Sequence, residues 1–129
     1  MEQKNMPAGF EDHRYGFVYG TLMKGEKAEH LLQEATYVGK CRLPDHAMYH
    51  LGSYPGILPC QGETVCGELY LIPHHLVVKL DAYEVEGTLY DRKAVTVFME
   101  DQPIQAEAYI YKKDVTGCPL MRKAWNDRS

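Results

Sequence analysis

Alternation of apolar and polar side chains is the feature that most constrains how this 129-residue chain folds. It occurs at residues 65–71, 95–99 and 106–110. A period of two side chains is that of a β-strand with one face against a core. Residues 100–103, Glu-Asp-Gln-Pro, are typical of a turn, so the last two segments are predicted to pair as a hairpin.

Between the first and the second of these predicted strands, the apolar residues follow the spacing of a helix. Pro73 suits the first turn of a helix, where its missing N–H does no harm, and Gly87 suits the end. Between them, helical spacing places five side chains on one face: Leu76, Val77, Leu80, Tyr83 and Glu84. We therefore predict a helix whose apolar face packs against the sheet.

The rest of the chain predicts a set of shorter elements. These are strands at 17–19, 35–43, 47–51 and 57–59, a short helix at 25–33, turns at 52–56 and 61–63, and a closing helix or surface segment at 120–125. This pattern favours an α+β fold, a compact, mixed and mostly antiparallel β-barrel flanked by two or three short helices. Residues 1–14 are interpreted as a flexible leader and 15–129 as a single domain.

Composition argues against several classes of function. The net charge is −4 and Lys and Arg form no stripe, so we expect no nucleic-acid partner. The chain shows neither an apolar run of membrane-spanning length nor a signal-peptide segment, so we expect no membrane contact and a cytoplasmic location. Four cysteines without a CxxC pair predict reduced, mostly buried thiols. Six scattered histidines and the lack of nucleotide-binding glycine motifs predict neither metal nor cofactor.

Tyrosine is unusually abundant, with ten residues against three Phe and one Trp. Each tyrosine combines apolar bulk with a polar tip. The count fits amphipathic strand faces, and it equally fits a pocket lined with hydroxyl groups. Composition alone allows both interpretations.

The predicted strand at 17–19 runs into a turn formed by Tyr19, Gly20, Thr21 and Leu22. Glycine permits a tight turn and lets a ligand approach the main chain closely. Consecutive N–H groups in such a turn can form a concave anion site without a basic side chain. Turns of this kind that bind nothing are also common, so the segment alone is only a candidate site.

Charged residues at the end of the predicted helix are candidates for chemistry. Glu84 continues the apolar stripe, so burial should raise its pKa toward that of a general base; alternatively it reaches water or caps a neighbour. Asp81 is interpreted as a structural partner of Lys79 or Arg92. Arg92 is either a salt-bridge residue or a group that binds a substrate carboxylate.

Five segments in a fixed order give the chain a family resemblance. They are Phe-Val-Tyr-Gly-Thr-Leu at 17–22, Gly-Ser-Tyr-Pro-Gly-Ile at 52–57, Gly-Glu-Leu-Tyr at 67–70, Leu-Asp-Ala-Tyr-Glu at 80–84 and Leu-Tyr-Asp-Arg at 89–92. Over residues 15–112 the chain closely resembles the small branch of the gamma-glutamylcyclotransferase-like family, which includes gamma-glutamylamine cyclotransferases and a butirosin-biosynthesis cyclotransferase. Many relatives carry an asparagine soon after the first segment, whereas residues 25–30 contain none.

The resemblance implies a barrel of this kind and a role for each motif. The turn at 19–22 would hold the glutamyl group, Glu84 would be the acid/base, and Tyr54, Arg92 and Tyr111 would be pocket neighbours. The implied partner is a small gamma-glutamyl compound, whose α-amine attacks its own side-chain carbonyl and releases 5-oxoproline and an amine. The alternatives are a non-catalytic module that binds a small carboxylate and a hydrolase that releases glutamate.

Overall fold

The computed structural model describes residues 12–84 and 87–127. In these ranges the strands are β1 (His13–Val18), β2 (Thr36–His50), β3 (Pro55–Pro73), β4 (Tyr90–Met99), β5 (Gln102–Tyr111) and β6 (Leu120–Met121). The α-helix α1 (His74–Tyr83) follows β3 directly, and short 3-10 helices occupy Glu29–Leu32 and Trp125–Asp127. Within the described ranges, each helix is too short or too polar to cross a membrane.

Antiparallel ladders form almost all of the sheet. Its strand order is β3-β1-β5-β4-β2-β6, and β1 meets β5 through one parallel contact, between Gly16 and Glu107. A further ladder pairs β2 with β3, so the strand pairings form a closed circuit. The predicted α+β class, with a mostly antiparallel sheet and few short helices, is confirmed.

The long β2–β3 ladder contradicts two predicted chain breaks. Residues 35–43 and 47–51 were expected as separate strands and 61–63 as a turn, yet β2 is continuous from Thr36 to His50 and β3 continues through 61–63. The ladder instead shifts register next to Asp45, which has a φ of 61°, and the Gly62 amide donates to its Oδ1 at 3.0 Å. A β-bulge accommodates extra residues without ending the pairing, so turn-forming residues here bend the ladder.

Other local predictions also need correction. The helix expected at 25–33 is only the 3-10 helix Glu29–Leu32. Of the four cysteines only Cys41 is buried, and Cys66 is exposed because strand alternation turns it outward from β3. Tyr83 does not join the buried face of α1, since it is 38% exposed at the helix end. Residues 1–11 of the predicted leader lie outside the described residues, and β1 begins at His13.

The core lies between the sheet faces and α1. Its largest fully buried apolar side chains are Phe17, Met23, Leu43, Met48, Ile57, Val65, Leu69, Val97, Ile104 and Trp125. Helix α1 buries Leu76, Val77 and Leu80, as the period predicts. Burying each such side chain contributes about 1.5–3 kcal/mol, which fixes the rotation of the helix about its axis. A residue four positions after Leu80 therefore also turns toward the protein interior.

Candidate active site

A cavity of about 210 Å³ opens where β1 ends, beside the C-terminal end of α1. Its walls come from β1, α1, β4, β5 and the segments that connect strands. The lining residues are Phe17, Val18, Tyr19, Gly20, Thr21, Leu22, Lys27, Tyr54, Pro55, Tyr83, Glu84, Leu89, Tyr90 and Tyr109. The cavity thus brings together six of the eight residues that the sequence singled out, and Arg92 and Tyr111 lie outside its lining.

The turn that follows β1 presents free amides at this cavity. The carbonyls of Gly20 and Thr21 accept hydrogen bonds from the amides of Met23 (3.0 Å) and Ala28 (2.9 Å), which hold the turn in shape. Within residues 12–84 and 87–127, the N–H groups of Gly20, Thr21 and Leu22 donate to no protein acceptor. Three successive donors are therefore available to an anionic or carbonyl ligand.

Glycine is required at position 20 by a close approach. A Cβ atom added there would lie 2.8 Å from Cγ of Pro55, which is itself part of the cavity wall. Contacts this short force the neighbouring group to move. The turn can thus lie against Pro55 only because residue 20 has no side chain.

Glu84 follows the last residue of α1 and lines the same cavity. Its amide donates to the Leu80 carbonyl at 2.9 Å, so its backbone remains tied to the helix. Across the described part of the chain, no group donates a hydrogen bond to its carboxylate. Burial raises the pKa of Glu84 to about 7, which confirms the expected upward shift.

Two tyrosine hydroxyls near Glu84 are bonded to backbone carbonyls. Tyr19 donates to the carbonyl of Tyr109 at 2.7 Å, and Tyr90 donates to the carbonyl of Pro55 at 2.8 Å. Burial, followed by nearby charges that include Glu84, raises the pKa of both phenols. These tyrosines therefore stay neutral and fix the cavity walls across distant parts of the chain.

The outer side of the cavity contains more exposed groups. Tyr83 shares a 2.5 Å hydrogen bond with Thr21, which joins the end of α1 to the turn after β1. Tyr54, 37% exposed, and Lys27, also exposed, complete this side. Within the described ranges neither Tyr54 nor Lys27 is hydrogen-bonded or ion-paired through its side chain, so both are available to a ligand.

Arg92 is engaged in a network next to the cavity. Its Nε and Nη2 donate to the two oxygens of Asp81 at 2.9 and 3.1 Å, and its Nη1 donates to Glu107 at 3.1 Å. The Tyr109 hydroxyl donates to the same Asp81 carboxylate at 2.5 Å. The pairing of Asp81 with Arg92 is confirmed, and it directs the guanidinium toward these two carboxylates.

Tyr111 contacts the cavity only through a neighbour. Its ring packs against that of Tyr90, with 5.4 Å between the centroids. Tyr90 and Tyr109 do line the cavity, yet the sequence did not single them out. The high tyrosine count was the one available signal. By strand alternation, Tyr109 lies on the other face of β5 from the inward-facing Ala108. Tyr109 is nevertheless buried, because α1 contacts that face through Asp81.

Glu68 is a second functional-looking acid that the sequence did not single out. It is only 2% exposed, and its carboxylate accepts from the Lys24 amide at 2.9 Å and from Asn126 Nδ2 at 3.4 Å. These bonds attach the segment that follows the cavity turn to β3, which is a structural role. Within the described ranges, no three His, Cys, Asp or Glu side chains are grouped so as to hold a metal ion.

Solved structures place this arrangement among gamma-glutamyl cyclotransferase folds. The crystal structure of an AIG2-like protein from Mus musculus superposes with a TM-score of 0.80 over 92% of each chain, at 22% identity. A structure described as gamma-glutamyl cyclotransferase has a TM-score of 0.66 over 84% of this chain and 69% of that one, at 18% identity. These two similarities concern the fold.

Sequence comparison then gives the family. The family described as gamma-glutamyl cyclotransferase, AIG2-like, matches residues 16–127, and the chain belongs to it. The gamma-glutamylcyclotransferase family protein YtfP of Escherichia coli K12 is 33% identical over 113 residues, which cover 87% of this chain and 96% of that protein. A putative gamma-glutamylcyclotransferase of Vibrio cholerae is 38% identical over 80 residues, or 61% of this chain and 69% of that protein.

Proposed function

We propose that this protein cyclises the gamma-glutamyl group of a small amide to 5-oxoproline and releases an amine. The observation that supports this most is the position of Glu84, whose carboxylate lines the same cavity as the free turn amides of Gly20, Thr21 and Leu22. A turn of this kind would be enough to bind a carboxylate. A desolvated acid beside it serves no purpose in binding but is suited to moving a proton.

The proposed reaction needs one bond formed and one broken. The α-amine nitrogen of the glutamyl group attacks its own side-chain carbonyl carbon, which closes a five-membered lactam. The bond from that carbon to the amide nitrogen then breaks. Glu84 takes the proton from the attacking amine and returns it to the departing nitrogen, so the enzyme is unchanged after turnover. The turn amides bind the α-carboxylate or stabilise the charge that develops on the carbonyl oxygen.

The raised pKa of Glu84 makes this proton transfer accessible. An α-amine with a pKa of about 8 and an ordinary glutamate differ by about 3.5 units, or roughly 5 kcal/mol. With the pKa of Glu84 at about 7 the gap narrows to about one unit, roughly 1.4 kcal/mol. Holding the flexible glutamyl chain in its attack geometry can contribute a further 7–11 kcal/mol, roughly.

The amine half of the substrate would extend toward the exposed side of the cavity. Its lining there consists of Lys27, Tyr54 and Tyr83. Lys27 and Tyr54 would contact the group that is released, while the glutamyl head lies against the turn. We infer that these two residues influence which amine is accepted.

The test is incubation of the purified protein with a panel of gamma-glutamyl compounds, with 5-oxoproline measured by mass spectrometry. Glu84→Gln should lower turnover by about 10²–10⁴-fold, because the shape persists while the base is lost. Asp101→Asn is a matched acid-to-amide control in an exposed turn away from the cavity.

Each other outcome identifies a different function. Glutamate in place of 5-oxoproline indicates a hydrolase, and saturable binding without product indicates a binding module. Near-normal 5-oxoproline release by a folded Glu84→Gln protein would contradict the assigned role of Glu84.

A further inference from the structure

Four tyrosine hydroxyls surround the cavity of Glu84, and each is hydrogen-bonded to a different partner. Tyr19 and Tyr90 donate to the carbonyls of Tyr109 and Pro55, Tyr83 bonds Thr21, and Tyr109 donates to Asp81. Within the described residues, no hydrogen bond joins any of these four hydroxyls to Glu84. Asp81 is the single carboxylate among the four partners, and its side chain can be removed without altering the backbone.

The Tyr109 hydroxyl bonds one carboxylate, that of Asp81, and lines the same cavity as a second, that of Glu84. Asp81 lies three residues before Glu84 in the chain, at the same end of α1. Burial raises the pKa of Tyr109, the hydrogen bond to Asp81 adds to this, and the charge of Glu84 raises it further. The phenol is thus close enough to sense the charge of Glu84, and yet its proton is directed to Asp81.

Arg92 explains why Asp81 is the preferred acceptor. Its two-point contact holds both oxygens of Asp81 in place. Burial by itself would raise the pKa of Asp81, but the hydrogen bonds from Arg92 and Tyr109 outweigh it and the net shift is downward. Asp81 is therefore ionised at neutral pH, and an ionised carboxylate is the stronger hydrogen-bond acceptor.

We propose that Asp81 is a positioning residue that holds the Tyr109 hydroxyl away from Glu84 and so leaves the Glu84 carboxylate free for the substrate amine. Its importance for turnover rests on the proposed function. The choice of Tyr109 between two acceptors, however, is a property of the protein without ligand and can be measured directly.

None of the other described groups that line the cavity is hydrogen-bonded to a carboxylate that could be removed in this way. Those that titrate or carry charge are Tyr19 after β1, Lys27 before the first 3-10 helix, Tyr54 between β2 and β3, Tyr83 on α1, Tyr90 on β4 and Tyr109 on β5. Lys27 is the single cation among the described lining residues, and it is exposed. Replacing Asp81 should therefore alter the pKa of Glu84 chiefly through Tyr109.

The experiment is a double-mutant cycle that measures the pKa of Glu84 by carbon-13 NMR of its carboxyl group, without substrate. Asp81→Ala should free the phenol to donate to Glu84 and lower that pKa by about one unit, because a hydrogen bond to the charged form favours it. Tyr109→Phe alone should leave the pKa of Glu84 near 7. Asp81→Ala combined with Tyr109→Phe should restore it. Asp81→Asn keeps an acceptor oxygen and should give a smaller downward shift.

The outcomes separate this proposal from simpler explanations. If the shift persists in the double variant, it comes from the lost charge of Asp81 or from the unpaired guanidinium, and the proposal is wrong. It is also wrong if Tyr109→Phe raises the pKa of Glu84, since the phenol would then already donate to it. Should Asp81→Ala fail to fold, Asp81→Asn and Tyr109→Phe decide the question.

Activity provides an independent second measurement. In Asp81→Ala, the acid limb of kcat/KM against pH should move to lower pH by the same amount as the NMR titration. A protein that releases no 5-oxoproline would contradict the proposed function while leaving the NMR result intact.

Discussion

The partly buried carboxylate of Glu84 should make the native protein less stable as the pH rises, and Glu84→Gln should remove this dependence. The pKa of Glu84 is about 7 in the folded protein against an ordinary value of 4.5. The native state therefore holds a proton that the unfolded state has already released between these two values. Its contribution to stability is complete below pH 4.5 and is lost as the pH rises to about 7.

The size of the effect follows from the width of this interval. A shift of about 2.5 units at roughly 1.4 kcal/mol each gives a penalty of about 3 kcal/mol at pH 8, against about 1 kcal/mol at pH 5. In Glu84→Gln the buried amide adds a cost that does not depend on pH. The free energy of unfolding of the variant, relative to wild type, should thus increase by about 2 kcal/mol from pH 5 to pH 8.

Urea denaturation of wild type and Glu84→Gln at pH 5, 6.5 and 8, followed by circular dichroism, measures this difference. Asp101→Asn removes an exposed carboxylate and should show no comparable pH-dependent gain. A Glu84→Gln protein whose relative stability is the same at pH 5 and pH 8 would refute the reasoning, because the carboxylate would then not be desolvated in the native state.

Three further outcomes are expected from the geometry. Gly20→Val places atoms against Pro55 and should weaken binding of a gamma-glutamyl ligand at least tenfold by calorimetry, at a cost of about 1–3 kcal/mol in stability; an unchanged Kd would remove the turn from the site. Asn126→Ala loses a 3.0 Å bond to a backbone carbonyl and should lower the free energy of unfolding by about 1 kcal/mol in urea, whereas no change would show that the bond adds nothing. Burial raises the pKa of Cys41 to about 12, so at pH 8 iodoacetamide should label the exposed Cys66 first, and equal labelling rates in peptide mass spectra would contradict this.

The spacing of apolar residues was enough to predict an element wherever that element is determined by its own residues. The alternation at 95–99 and 106–110 corresponds to the antiparallel pair β4 and β5, and the helical period starting near Pro73 corresponds to α1. It failed at 61–63, where turn-forming residues lie inside β3. A turn and a bulge share the same residue types, and only the opposite strand distinguishes them.

In the candidate site, too, some features were predictable from the sequence and others were not. The inward direction of Glu84 was predictable because Leu80, one turn earlier, already faces the core. The surroundings of Arg92 were not fully predictable, since Glu107 reaches it from β5, and neither was the burial of Glu68, whose donors come from Lys24 and Asn126.

The sequence by itself determined α1, the hairpin of β4 and β5, the turn at the end of β1 and the inward direction of the acid that follows α1. Only the tertiary structure decided which group each tyrosine hydroxyl bonds, and hence that none of the described donors reaches Glu84. The reason is physical: side-chain periods are set by neighbours within a few residues, whereas these hydrogen bonds join positions far apart in the chain. Tyr19 and its acceptor are 90 residues apart, and Tyr109 and Asp81 are 28 apart.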